Sequence, residues 1–159
     1  MSYRFEVAQE TDAPGIFSLY QSLIGTPGCT WNEDYPTIAL VARDIQTGSL
    51  YVLKEERGTV IAAASAGPDD ELAEFGWDLD TPCELARVAV SASLQNKGVG
   101  SCLLKQVVAA VKARGFDGIR MLVSVDHPHA LALYDKNGFE RLDTVRMYGH
   151  VFYRYRMAF

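Results

Sequence analysis

A glycine-rich turn is the part of the sequence best suited to binding a small anion. It reads Gln95-Asn96-Lys97-Gly98-Val99-Gly100 and lies between a predicted strand and a predicted helix. The two glycines permit unusual backbone dihedrals and let a ligand approach the main chain closely. Free N–H groups in the first helical turn, together with the helix dipole, favour an anion at this end of a helix. Lys97 adds a positive charge, so the turn predicts an anion site.

The turn does not match the common nucleotide signatures. A dinucleotide fingerprint needs a third glycine where Leu103 stands, and a P-loop ends in Gly-Lys-Ser/Thr, which is absent. Taken alone, the hexapeptide fits an ordinary strand-to-helix turn, or a phosphate or nucleotide binder of another class, equally well.

Other combinations of reactive side chains in the sequence do not match a metal site, a disulfide framework or a catalytic triad. His127 and His129 share a proline-containing loop without a nearby carboxylate or cysteine, so we expect no metal site. Cys29, Cys83 and Cys102 form neither a disulfide framework nor a CxxC pattern, and free thiols fit a reducing compartment. No Ser/His/Asp arrangement is evident.

Regular elements on both sides of the turn would position these residues. Alternation and apolar runs predict strands over 3–7, 49–55, 60–66, 83–90, 119–125, 140–147 and 151–159. Helical spacing, early prolines and terminal glycines predict helices from Thr11 to about residue 24, over 37–45, over 98–114 and from Pro128 to Gly138. An acidic loop is expected between Asp69 and Pro82. The order β-α-α-β-β-β-α-β-α-β-β implies a mixed sheet with helices on its faces, in a single domain over 1–159.

Two sequence blocks resemble the GNAT superfamily of acyl-CoA-dependent N-acetyltransferases. The first is the strand Leu85-Ala86-Arg87-Val88-Ala89-Val90 followed by the glycine-rich turn, similar to the superfamily's Gln/Arg-x-x-Gly-x-Gly/Ala hallmark. The second, Ala130 to Phe139, is similar to its Ala-x-x-Leu-Tyr-x-Lys-x-Gly-Phe segment. The resemblance covers about residues 83–140. It implies a mixed α/β (α+β) fold with a largely antiparallel sheet of about seven strands, and a splayed parallel strand pair that binds acyl-CoA.

The resemblance also implies a site for acetyl-CoA. The strand before the turn would pair with the pantetheine arm, and N–H groups from Asn96 to Ser101 would hold the pyrophosphate. The implied cofactor-binding residues are Val88, Ala89, Val90, Gln95, Asn96, Lys97, Gly98, Val99, Gly100, Ser101, His127, Ala130 and Tyr134. Two positions depart from the family pattern. Ala92 replaces a usual proline, and His127 replaces a frequent asparagine, so His127 would either cap the helix or reach the cofactor.

Acetyl transfer to an amine requires a neutral amine, a stabilised oxyanion and a protonated or tolerated thiolate. The resemblance implies that Tyr134 lies near the cofactor sulfur and acts as general acid, although its ring could instead pack the core. Glu84 is the candidate base. It lies six residues before Val90 on one strand, which predicts the same face, and a solvated edge carboxylate is the alternative. Glu71 and Glu74 are weaker candidates. The N–H of Val88 would stabilise the oxyanion.

Charge is divided unevenly along the chain, whose net charge is -5. Residues 1–84 hold four Lys or Arg against fifteen Asp or Glu, and residues 85–159 hold eleven against five. This composition argues against nonspecific nucleic-acid binding, while the basic half suits a small polyanion. The expected acceptor is a primary amine of a small molecule or peptide, and acidic loops around the opening would favour a cationic one. Surface solubility explains the same carboxylates.

The sequence also predicts where the protein is located and how it assembles. The apolar runs fall short of the ~18 residues that span a bilayer, and the N-terminus has no apolar signal core, so we expect a cytoplasmic protein without membrane contact. Phe152, Tyr153 and Tyr155 on an exposed C-terminal strand would pair two subunits in a homodimer, or close the core of the monomer. A non-catalytic module that binds or senses acyl-CoA is the alternative function.

Overall fold

The computed structural model describes residues 2–159, which form a seven-stranded sheet and four α-helices. The strands are β1 (Arg4–Val7), β2 (Leu50–Lys54), β3 (Val60–Gly67), β4 (Pro82–Val90), β5 (Gly118–Ser124), β6 (Glu140–Met147) and β7 (His150–Ala158). The helices are α1 (Ala13–Leu23), α2 (Ile38–Gln46), α3 (Val99–Ala113) and α4 (Pro128–Lys136). Each predicted element is found within a few residues of its predicted bounds. Short 3-10 turns at Glu10–Asp12 and Ala92–Leu94 were not predicted.

Strand order in the sheet is β1-β2-β3-β4-β5-β7-β6. Every neighbouring pair is antiparallel except β4 and β5, which are parallel. The last strand, β7, inserts beside β5 and pairs with it over seven residues, from Gly118↔Ala158 to Ser124↔Phe152. The mixed, largely antiparallel sheet with one parallel pair is therefore confirmed.

Helices cover both faces of the sheet, because the strands at the centre of the sheet are apolar on both faces. One core contains the buried side of α3, with Leu103, Val107 and Val111, together with Tyr134 of α4. The opposite core contains Ile16 and Tyr20 of α1 and residues of α2. The first core lies on one face of the sheet, the α3–α4 face, and the second lies on the other, the α1–α2 face.

The C-terminal aromatic residues do not lie on an exposed edge. β7 has a partner strand on each side, so its backbone groups are used within the subunit. Tyr155 is fully buried in the core of the α3–α4 face. Its role in closing the monomer core is therefore observed, and the edge-pairing argument for a homodimer loses its basis at this strand. Within residues 2–159, no helix has both the length and the apolar character needed to cross a bilayer.

Candidate active site

The glycine-rich turn enters α3 in the conformation that an anion site needs. Asn96 (φ 63°) and Gly98 (φ 81°) adopt left-handed dihedrals, and Gly98 is the N-cap of the helix. Among residues 2–159, no side chain caps this end of the helix. The N–H groups of the first turn, at Val99, Gly100 and Ser101, therefore lack an intrahelical acceptor and are free to bind a ligand. With the helix dipole they favour negative charge at this position.

The two glycines of the turn serve different purposes. A Cβ added at Gly98 would meet no atom within 4 Å, so its positive φ is the reason for glycine. At Gly100, an added Cβ would lie 3.2 Å from both methyl carbons of Leu133 and 3.7 Å from a methyl carbon of Val90. Gly100 thus allows α3 and α4 to pack closely beside the end of β4.

Replacing Gly98 with alanine should lower the free energy of unfolding by about 1 kcal/mol, because an L-residue with a Cβ is disfavoured in the left-handed region. Gly98→Asn is the matched control, since asparagine tolerates this conformation better, and it should cost less than alanine. Chemical denaturation of both variants measures the difference. Equal losses for alanine and asparagine would mean that φ at residue 98 does not determine the cost.

Side chains around the turn hold its shape. The amide of Gln95 donates to the carbonyl of Val90 (3.3 Å). Asn137, at the end of α4, donates to the hydroxyl of Ser101 (3.1 Å) and to the carbonyl of Leu133 (2.7 Å). Asn137 was not among the predicted site residues, although it belongs to the sequence block that contains Tyr134.

β4 and β5 separate soon after they pair. Their register covers only Pro82↔Gly118, Cys83↔Ile119 and Glu84↔Arg120. Beyond Glu84, β4 stays with β3 and β5 stays with β7. The facing edges of the two strands therefore carry backbone groups without strand partners. Val88, Ala89 and Val90 lie on this stretch of β4, between the start of the gap and the glycine-rich turn.

A β-bulge interrupts β4 within the gap. Arg87 has φ 52°, and Arg87 and Val88 together oppose one residue of β3, because the register moves from Ala86↔Ser65 to Ala89↔Ala63. An extra residue reverses the alternation of side chains along a strand. Glu84, paired with Gly67, therefore shares the α1–α2 face with Ala89, while Val90 contacts the α3–α4 core. The prediction that Glu84 and Val90 share a face is wrong for this reason.

The side chain of Arg87 ties the bulge to the α1–α2 face. Its guanidinium donates to Asp44 of α2 (2.8 Å), to the hydroxyl of Tyr35 (3.0 Å) and to the hydroxyl of Ser65 (3.3 Å). Arg87 and Asp44 are both nearly fully buried. This arrangement fixes the α1–α2 loop, which carries Tyr35, beside the bulge. The sequence does not single out Arg87, because residues 83–90 fit a regular strand.

Glu84 is buried and ion-paired at the point where β4 and β5 separate. Its Oε2 accepts from Nε of Arg120 (3.0 Å) and from the N–H of Leu72 (3.1 Å), and it lies 2.8 Å from Nη2 of Arg120 in a salt bridge. Burial raises the pKa of Glu84, and the hydrogen bond from Leu72 and the charge of Arg120 oppose that rise. Arg120 was not predicted, since it lies inside an otherwise apolar strand. The solvated-edge alternative for Glu84 is excluded by its 6% exposure.

Tyr134 lies in the α3–α4 core beside the gap. Its ring packs against Phe139 and Tyr155 at centroid distances of 5.6 and 5.9 Å. Its hydroxyl makes no hydrogen bond to any of residues 2–159, whereas that of Tyr155 accepts from Arg141 and donates to Asp135. Burial raises the pKa of Tyr134, so the hydroxyl keeps its proton at neutral pH. The packing role is observed, and the general-acid role stays a prediction.

His127 caps α4, which was one of its two predicted roles. Its Nδ1 accepts from the N–H of Ala130 (3.3 Å), so the ring must carry its proton on Nε2. Burial, with a smaller effect of His129, lowers the pKa of His127 and favours this neutral form. Gly28 of the α1–α2 loop packs on His127, since a Cβ added at Gly28 would lie 2.7 Å from the Cα of His127.

Among residues 2–159, no group of three His, Cys, Asp or Glu side chains could hold a metal.

Curated relatives match the chain to different extents. The uncharacterized protein YxbD of Bacillus subtilis is 36% identical over 63 residues, and the match spans 40% of this chain and 38% of that protein. An L-methionine sulfoximine/L-methionine sulfone acetyltransferase of Pseudomonas paraeruginosa is 24% identical over 160 residues, which cover 98% of this chain and 90% of that protein.

A solved structure extends the likeness to the whole fold. The yncA protein of Salmonella typhimurium, solved with its cofactor acetyl-CoA, superposes with a TM-score of 0.78 at 18% identity, covering 99% of this chain and 94% of that one. At this identity the likeness concerns the fold alone. The sequence profile of the acetyltransferase (GNAT) family matches residues 16–139. This match includes the turn, the separated strands and Tyr134, and the chain belongs to the acetyltransferase (GNAT) family.

Proposed function

We propose that the protein transfers an acetyl group from acetyl-CoA to a primary amine in a ternary complex. The observation that carries the proposal is the combination of an uncapped α3 N-terminus with the gap between β4 and β5. The first offers N–H groups to a pyrophosphate, and the second offers unpaired backbone to an extended arm. Both features fit one ligand in which an extended arm joins a pyrophosphate to a thioester.

In this proposal each part of acetyl-CoA contacts a separate part of the site. The N–H groups of the turn and of residues 99–101 would bind the pyrophosphate, and Lys97 would add charge. The edge of β4 at Val88, Ala89 and Val90 would pair with the arm. The thioester would then lie near the bulge, because the gap closes at Glu84 and Arg120.

Direct attack forms a bond between the amine nitrogen and the acetyl carbon and breaks the bond from that carbon to sulfur. Glu84 would remove the amine proton, directly or through a water, and Tyr134 would give a proton to the departing sulfur. The N–H of Val88, on the bulge, would stabilise the charge that develops on the carbonyl oxygen. The reactants are held together, so no covalent enzyme intermediate is needed.

The acceptor would enter from the α1–α2 face, which carries Glu84 and Tyr35. A small-molecule amine is supported by the Pseudomonas relative that acetylates L-methionine sulfoximine. A cytoplasmic location also belongs to this proposal, supported by the three free cysteines.

Acetyl-CoA should raise the unfolding temperature. A ligand at ~100 times its dissociation constant adds about 2.7 kcal/mol, which for a domain of this size corresponds to about 5–10 °C. ATP and NAD are the controls and should cause little shift. A shift with either control in place of acetyl-CoA would contradict the proposal and favour a nucleotide binder. A shift with acetyl-CoA but no thiol release with any amine would leave only a binding or sensing module.

A further inference from the structure

Three segments of the chain meet beside Glu84 on the α1–α2 face. Tyr148, at the tip of the β6–β7 turn, donates its hydroxyl to Oε1 of Glu71 in the β3–β4 loop. The next residue after Glu71, Leu72, donates its N–H to Glu84. Tyr35 reaches the same region from the α1–α2 loop through its bond to Arg87. The opening to the proposed acceptor site is therefore bordered by two tyrosines and a glutamate.

The electrostatic contacts of Tyr148 agree with this grouping. The hydrogen bond to Glu71 raises the pKa of Tyr148 to about 12, with smaller contributions from burial and from the neighbouring Glu71, Tyr35 and Glu84. The four side chains come from four different segments, and no local sequence pattern groups them.

Glu71 has no cationic partner among residues 2–159, unlike three other carboxylates of this region. Three carboxylates of this region each have an arginine nitrogen 2.8 Å from a carboxylate oxygen. The pairs are Glu84 with Arg120, Asp44 with Arg87, and Asp69 with Arg43. Within residues 2–159, no lysine, arginine or histidine nitrogen lies within 4.0 Å of the Glu71 carboxylate, whose hydrogen bond comes from Tyr148. One negative charge at the opening is therefore left for a ligand.

Tyr148 is positioned to bind a ligand, although its backbone conformation in the turn is unfavourable for tyrosine. The β6–β7 turn has φ 55° at Tyr148 and 77° at Gly149, a pair of left-handed dihedrals that asparagine and glycine normally fill. Tyr148 is 70% exposed, so its ring adds little to the core. An exposed aromatic ring beside a carboxylate suits an organic cation, which gains a cation–π contact and a charge-assisted hydrogen bond.

We propose that Glu71 and Tyr148 bind a second cationic group of the acceptor, so that diamines and polyamines are preferred over monoamines. This inference rests on the proposed function. The attacked amine must be neutral beside Glu84, whereas the group at Glu71 stays charged. Tyr35 would contribute a second ring at the opening. A second ammonium a few carbons away could reach Glu71, since residue 71 immediately precedes the residue that contacts Glu84.

The test compares 1-aminobutane with 1,4-diaminobutane and 1,6-diaminohexane in an assay of thiol release from acetyl-CoA. At least one diamine should show a kcat/KM roughly tenfold or more above that of the monoamine, as expected for one charge-assisted hydrogen bond. Glu71→Gln should remove this preference, so that the diamines and the monoamine have similar kcat/KM values. Asp78→Asn is the matched control. It removes one charge from the same loop at a fully exposed side chain, and the preference should persist.

A second variant separates binding from structure. Tyr148→Asn places in the turn a residue that suits its dihedrals, so the unfolding temperature should hold or rise while the diamine preference falls. Equal kcat/KM for monoamine and diamines, or equal effects of Glu71→Gln and Asp78→Asn, would overturn the inference and leave the acetyltransferase proposal standing. Acetyl-CoA binding without turnover of any amine would overturn both the inference and the proposed transfer.

Discussion

Tyr134→Phe should lower kcat by a factor between about 10² and 10⁴, the usual contribution of a positioned general acid. The KM for acetyl-CoA should change little, because only the hydroxyl is removed. The departing sulfur would then leave without a proton donor from the protein. Steady-state kinetics with saturating amine, followed by thiol release, measures this loss directly.

The structure makes Tyr134→Phe an unusually clean substitution. The ring contacts with Phe139 and Tyr155 are kept, and the hydroxyl has no hydrogen-bond partner within residues 2–159. The free energy of unfolding should therefore be nearly unchanged. A large loss of activity cannot then be assigned to a disturbed core.

Tyr155→Phe is the matched control from the same cluster. Its hydroxyl accepts from Arg141 (2.8 Å) and donates to Asp135 (2.8 Å), so its removal should cost about 1 kcal/mol of stability. Its kcat should stay within a few-fold of the wild type. Full activity in Tyr134→Phe would instead leave Tyr134 with a packing role, which was the alternative read from the sequence.

The parts of the fold that depend on residues close together in the sequence could be predicted from the sequence. The helical spacing of Ile16, Leu19, Tyr20 and Leu23 marked α1, and these four residues are its buried face. The glycine-rich turn could be predicted because its conformation depends on residues that are adjacent in the sequence. The splayed strand pair followed only from the family resemblance, since periodicity does not say which strands are neighbours or where two of them separate.

The parts that depend on a single extra residue or on distant partners could not be predicted. The bulge at Arg87 and Val88 cannot be recognised from the alternation of residues 83–90. It nevertheless places Glu84 and Val90 on opposite faces of the sheet. The partner of Glu84, Arg120, lies 36 residues away. Its charge inside an apolar strand was the signal that was available, because a buried arginine requires an anionic partner.

Glu84→Gln should lower kcat/KM by about 10²-fold at neutral pH, the lower end expected for loss of a general base. Glutamine keeps the shape of the side chain and can still accept from Leu72, so the substitution removes the proton acceptor and the counter-charge of Arg120. The acetyl-CoA-dependent rise in unfolding temperature should persist, since Glu84 lies at the closed end of the gap.

The pH profile gives a second readout of the same residue. A base works only when deprotonated, so activity falls as pH drops through its pKa. Burial raises the pKa of Glu84, which places this acid limb at a higher pH than for an ordinary glutamate. The limb should disappear in Glu84→Gln, and the limb that belongs to protonation of the acceptor amine should remain.

A purely structural ion pair predicts a different result. Glu84→Gln leaves Arg120 buried without a counter-charge under either reading, and breaking one side of a buried pair costs about 3–5 kcal/mol. If the pair is purely structural, activity is lost only through this loss of stability. The double variant Glu84→Gln/Arg120→Gln removes both charges and should then recover stability and activity together. If Glu84 is the base, the double variant recovers stability and stays inactive, since no proton acceptor is restored.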